Sequence, residues 1–185
     1  MNIKEILGTA LVETSMQRQE HGMGFEVWYG DKIALAGGMR SGGSPPGLVR
    51  CAYTVIDTAA MQQGVPQEQA DVGVVELYKD TNNEIRGLIN IKLNKQNRRA
   101  GIGSEVIRSL LDTCPTAFTV WDIRKTAIGF WAKMGCQFVS TTGQPIPNPR
   151  KYVGSVLVGI IPKAGMPIDI ATLPGFAHRQ RPISG

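Results

Sequence analysis

The segment from Leu93 to Leu111, LNKQNRRAGIGSEVIRSLL, constrains the fold more than any other part of the chain. Before it, Ile85–Leu93 is β-rich. After it, Ile102, Val106, Ile107, Leu110 and Leu111 fall on one face of a helix that should end near Pro115. A strand therefore runs through a short basic loop straight into a helix. Lys92, Lys95, Arg98 and Arg99 lie within eight residues with no acid among them. First-turn N–H groups of a helix have no intrahelical partner, and the helix dipole favours an anion there. Gly101 and Gly103 let backbone approach such a group without Cβ obstruction. The pattern suits a pyrophosphate held by backbone donors; the plainer reading is a helix start with solvated arginines. It is neither a dinucleotide fingerprint, since Val106 stands where the third glycine belongs, nor a Walker loop, since no G-K-[ST] follows.

The chain has 185 residues, a length suited to one globular domain with an appendage. Of its 11 prolines, seven fall between Pro145 and Pro182, which predicts a body over 1–161 and an extended Pro/Gly-rich C-terminal arm over 162–185. The arm has few large apolar residues and is expected to stay mobile or to lie on a protein partner or a second copy of the chain. No run of about 18 apolar residues is present, so no membrane span is expected. The N-terminus lacks the basic start, apolar block and cleavage site of a secretory signal. Three cysteines, Cys51, Cys114 and Cys136, are an odd number at wide spacing, which points to a reducing, cytoplasmic setting. His21 and His178 belong to no metal-ligand spacing, and no metal site is expected. The net charge of +5 is expected to concentrate around residues 92–99. With no nucleic-acid motif or aromatic-interleaved basic patch, a nucleic-acid partner is not expected.

Elsewhere, Ile3, Ile6, Leu7, Ala10 and Leu11 predict an amphipathic helix, and Phe25–Tyr29 with Ile33–Ala36 predict a hairpin. Arg40–Gly47 is a loop, and Leu48–Met61 fits either helix or strand. Val72–Tyr78 and Ile85–Leu93, joined by the polar turn Lys79–Glu84, read as antiparallel neighbours. Strands are expected over Ala117–Ile123, Cys136–Val139 and Tyr152–Ile161. A helix over Ala127–Met134 should be closed by Gly135. The class is mixed α/β.

Arg98-x-x-Gly101-x-Gly103 after a strand resembles the R/Q-x-x-G-x-G/A acyl-CoA motif of the GNAT N-acetyltransferase superfamily. Further on, Ala127–Phe138 (AIGFWAKMGCQF) resembles that superfamily's second signature, A-x-x-F-Y-x-K-x-G-F. The resemblance spans roughly residues 88–160. It implies a mostly antiparallel twisted sheet flanked by helices, with two splayed central strands, and acetyl-CoA or another acyl-CoA as cofactor. Backbone at Ile91, Lys92 and Leu93 would take the acyl carbonyl and pantetheine. Amides of Arg99, Ala100, Gly101, Ile102, Gly103 and Ser104 would take the pyrophosphate, with Arg98 at the motif's first position. Arg124 stands where the family has a cofactor-contacting Asn, and Trp131 where it has an acidic Tyr. Arg124 could reach a cofactor phosphate or pair locally with Asp122; Phe130 and Trp131 could line pantetheine or fill the core.

The resemblance implies an acyl-CoA-dependent N-acyltransferase working by direct transfer in a ternary complex to a lysine, an N-terminus or a small amine. Proton transfer needs a base and an acid within reach. Gly87 and Thr119 occupy places where relatives can carry a glutamate, which leaves Glu76, Glu84 and Asp122 as candidate bases, each of which also fits a paired or solvated carboxylate. Cys136 fits a buried core thiol. The alternative is a GNAT-fold structural or binding module with little catalysis, such as a virion or assembly component, which would make the chain virion-associated.

Overall fold

The structure, a computed structural model, describes residues 17–20, 25–30, 32–40, 42–98, 101–114, 116–154, 156–163, 165, 168, 170, 173 and 176. The helix expected over residues 3–11 lies outside them, as do Arg99 and Ala100. The elements are β1 (Gln17–Glu20), β2 (Phe25–Tyr29), β3 (Ile33–Met39), β4 (Leu48–Asp57), α1 (Thr58–Gln62), α2 (Gln67–Ala70), β5 (Asp71–Asp80) and β6 (Ile85–Leu93). They continue with α3 (Ile102–Thr113), β7 (Phe118–Val120), α4 (Ile128–Lys133), β8 (Gln137–Val139) and β9 (Val158–Ile161). The protein is α/β, with its strands hydrogen-bonded in the order β1-β2-β3-β4-β5-β6-β7-β9-β8. Most of the pairings are antiparallel.

The chain forms two compact units interleaved along the sequence. Unit 1 comprises residues 1–42, 50–76 and 91–113; unit 2 comprises 43–49, 77–90 and 114–185.

In unit 1, antiparallel β2, β3 and β4 are in register from Tyr29↔Ala34 and Ile33↔Asp57 outward. Their alternation places Val27, Ala34, Ala36 and Ile56 in one buried cluster with Met61 of α1 and Ala70 of α2. The stretch 48–61, open between helix and strand in the sequence, divides at Asp57. Its carboxylate accepts from the Ala60 N–H at 3.0 Å, an N-cap that ends β4 and starts α1. Helix α3 buries Val106, Ile107 and Leu110 of the stripe its periodicity predicts, with Ile102 and Leu111 half-buried at its ends. Burying such side chains is worth roughly 1.5–3 kcal/mol each as an upper figure.

In unit 2, β6 and β7 pair in parallel through Gly87↔Thr119 and Leu88↔Val120, because a helix-length connection separates them in sequence. β7 then pairs antiparallel with β9, and β9 with β8. The expected strand 117–123 shrinks to three residues, and Asp122 beyond it takes φ 53°. The expected strand 152–161 begins only at Val158, since Pro149–Lys151 forms a 3-10 turn. A short 3-10 turn, Lys125–Ala127, leads into α4. That helix closes as expected at Gly135, φ 79°, with Cys136 N–H donating to Trp131 O and Gly135 N–H to Ala132 O.

The described part of the C-terminal segment is not separate from this core. Leu173 and Phe176 are buried with Ala117, Val139, Val158 and Ile160, while Ile168, Ile170 and Trp121 pack alongside. The Trp121 and Phe176 rings lie 5.4 Å apart. At Ile168, Ile170, Leu173 and Phe176 the segment thus packs on its own unit.

Candidate functional site

The β6–α3 connection lies wholly in unit 1. Its entry is tied to β5, where Asn94 N–H donates to Val72 O at 2.9 Å and Asn94 Nδ2 to Asp71 O at 2.8 Å. Lys95–Asn97 then makes a 3-10 turn, and Arg98 folds back so that Nε donates to Leu93 O at 3.2 Å. Gly101 has φ 84°, a conformation that costs an L-residue about 1–2 kcal/mol. A Cβ built there would meet no atom within 4 Å, so the space beside it is open. Gly101 O accepts from Ser104 N–H at 3.0 Å and Glu105 N–H at 3.1 Å, the first bonds of α3. The N–H groups of Ile102 and Gly103 precede those bonds and have no intrahelical partner.

Unit 1 therefore brings together Ile91, Lys92, Leu93, Arg98, Gly101, Ile102, Gly103 and Ser104. Lys92, Arg98 and Gly101 are exposed. A feature the sequence reading passed over is Glu105, an acid in the first turn of α3. Its carboxylate lies 3.8 Å from Lys32 Nζ and 4.0 Å from Arg108 Nη1, which offset its repulsion of an incoming anion. Acid enrichment in helix first turns was the available signal.

The remaining candidates fall elsewhere. Arg124 and Trp131 belong to unit 2. Arg124 is exposed ahead of the 3-10 turn at 125–127. Trp131 is 4% exposed, edge-on to Phe130 with centroids 4.9 Å apart, so it serves the core of its unit. Glu76, in unit 1, accepts from Arg50 Nη2 at 2.9 Å. Glu84, in unit 2, lies 3.7 Å from Arg86 Nη1, with Asp80 equally close to Arg86 Nε. Asp122 is exposed. Two of the three candidate bases are thus engaged by arginines.

Gly87 and Thr119, the two positions where relatives can carry a glutamate, are opposite each other in the parallel ladder. A Cβ at position 87 would fall 2.2 Å from Thr119 Oγ1, whose hydroxyl donates to Arg86 O at 3.2 Å. Thr119 therefore leaves no room for a side chain at position 87. The thiols offer no nucleophile: Cys114 and Cys136 are buried, and burial raises each from 9.0 to about 12.

Unit 1 also contains a buried polar row with no sequence signal. Glu26, Gly37 and Tyr53 are in register across β2, β3 and β4. With no side chain at Gly37, the Tyr53 hydroxyl reaches across to donate to Glu26 Oε1. Burial, then the Glu26 carboxylate, pushes the Tyr53 hydroxyl well above its usual range. Among the described residues, no group of three or more His, Cys, Asp or Glu could hold a metal ion. No described helix is long and apolar enough to cross a membrane. Compared with known proteins, the sequence matches no family model and no curated relative.

Proposed function

We propose that the chain binds an acyl-CoA through the β6–α3 loop and transfers the acyl group to an amine. The observation that carries this reading is the loop itself. A positive-φ glycine with open space beside it precedes two first-turn N–H donors without intrahelical partners, and Arg98 is held over the strand end that leads in. The fold pattern supports it: β6 pairs with β7 over two residue pairs and continues to Leu93, as a splayed strand must. In the proposed reaction the free amine attacks the thioester carbonyl, the C–S bond breaks, and the departing thiolate takes up the proton the amine releases. Backbone donors along Ile91–Leu93 would polarise the carbonyl. With Glu76 and Glu84 paired to arginines, water carries the proton steps.

A second reading, a binding module of the same fold without turnover, is favoured by one observation. The interlocked Gly87–Thr119 pair leaves no carboxylate at either place where relatives can carry one. Calorimetric titration with acetyl-CoA tests what both readings share. We expect saturable binding, weakened about tenfold or more by Arg98→Ala, in line with a charge-assisted contact. No binding at millimolar acetyl-CoA refutes both. Release of CoA thiol in the presence of a primary amine separates the two.

A further inference from the structure

The chain's positive charge is not where its densest basic sequence lies. Unit 1 contains the cluster around residues 92–99, yet it totals ten Lys and Arg against eleven Asp and Glu, a net −1. Unit 2 carries ten Lys and Arg against four Asp and Glu, a net +6. The expectation that the surplus belongs to one anion site at 92–99 is thus corrected.

Within unit 2 the cations are spatially organised. The segment 125–135 contains no acid, and neither does 144–156. Gly129 and Lys133 lie at i and i+4 on one side of α4, and Lys125 stands in the 3-10 turn that leads into that helix. The two lysines are about 12–13 Å apart along the axis. The 3-10 turn Pro149–Lys151 delivers Arg150 onto the middle of that side, with Nη2 3.8 Å from where a Cβ of Gly129 would be. Lys125, Gly129, Lys133, Arg150 and Lys151 are all exposed. Of the described acids in unit 2, Asp80 and Glu84 are engaged by Arg86. Only Asp122 lies near in sequence.

We propose that this strip, Lys125–Arg150–Lys133 with Lys151 beside it, is a docking surface for a nucleic-acid phosphodiester backbone, read without base specificity. Protein interfaces are depleted of charge at their centre and rely on aromatic or aliphatic anchors. Within α4, Ile128 and Trp131 are buried, Phe130 is half-buried against Trp131, and Gly129 and Ala132 fill the exposed side before Lys133; Val153, beyond Lys151, is the exposed large apolar side chain nearest in sequence. Exposed cations gathered around the small residues Gly129 and Ala132 suit repeating phosphates, where affinity comes from counterion release. The surface shares no residue with the β6–α3 loop that carries the acyl-CoA reading.

The test uses the full chain and fluorescently labelled 20-nucleotide oligomers, single-stranded and duplex, titrated by anisotropy at several salt concentrations. Neutralising four phosphates predicts a slope of log K against log salt of about −3 to −4. The charge-neutral set Lys125→Gln, Lys133→Gln and Arg150→Gln should flatten the slope by about two units, and charge reversal to Glu at the same positions should abolish binding at low salt. Lys92→Glu with Lys95→Glu should leave the slope unchanged. The proposal is overturned by no binding at low salt, by a slope the strip variants do not alter, or by retention on phosphatidylserine vesicles in place of the oligomers. Retained acetyl-CoA binding by the glutamine set keeps this outcome separate from that of the unit 1 loop.

Discussion

Replacing Gly87 with alanine examines why this fold carries no carboxylate at that place on β6. The added Cβ would come 2.2 Å from Thr119 Oγ1, 3.0 Å from Thr119 O and 3.4 Å from Thr119 Cβ. Thr119 is fully buried and its hydroxyl is committed to Arg86 O, so relief requires moving either a packed side chain or the ladder. Overpacking of this kind costs about 1–3 kcal/mol, offset by roughly 0.5–1 kcal/mol from removing a strand glycine. The expected net loss is about 1–2 kcal/mol. Thr119→Ala alone loses a hydrogen bond and a buried methyl, about 2 kcal/mol together. In the double variant the closest clash has gone, so its total should approach that of Thr119→Ala, a coupling of about 1–2 kcal/mol. Thr119→Val retains the bulk and should not rescue. Urea unfolding followed by tryptophan fluorescence and far-UV circular dichroism measures each corner, with coincident transitions establishing two-state behaviour. Additive losses to within about 0.5 kcal/mol, or rescue by valine, would refute the steric argument.

Raising the pH should destabilise the protein above about pH 9. Cys114 and Cys136 keep their protons in the folded chain up to about 12, against 9.0 in the unfolded chain. The folded state thus binds more protons between those values, and its stability falls as pH rises through them. Unfolding free energies measured from pH 8 to 11 should decline, less so in Cys114→Ala and Cys136→Ala; a flat profile contradicts the burial argument. Leu173→Ala and Phe176→Ala should each cost about 2–5 kcal/mol, as core truncations do, because both side chains are 3% exposed. A chain ending at residue 163 should lose stability likewise, and an unchanged urea midpoint would show that the segment does not contribute to the core.

The sequence by itself determined what neighbouring residues can settle. The period of 3.6 in Ile102–Leu111 located α3, and Gly135 marked the stop of α4. Polar residues at 79–84 separated β5 from β6, where Asp80 Oδ1 accepts from the Asn82 and Glu84 N–H groups. Gly101 belonged to the same local class, since a positive φ at a helix start is a demand on one residue. Proline density, by contrast, cannot register that Leu173 and Phe176 find partners at Ala117, Val139 and Val158.

The tertiary structure decided what depends on residues distant in sequence. The parallel register of Gly87 with Thr119 brings Thr119 to Arg86 across a sequence separation of 33, and no local propensity encodes it. The same holds for Gly37, whose missing side chain joins Tyr53 to Glu26, and for the sharing of charge between two interleaved units. A basic run in sequence belongs to a unit whose charges sum to about zero, while cations from a turn, a helix and a proline-rich loop belong to the unit that carries the surplus. Local preferences are set within a few residues. Packing and electrostatics sum over everything within a few ångströms, and only the folded chain defines that neighbourhood.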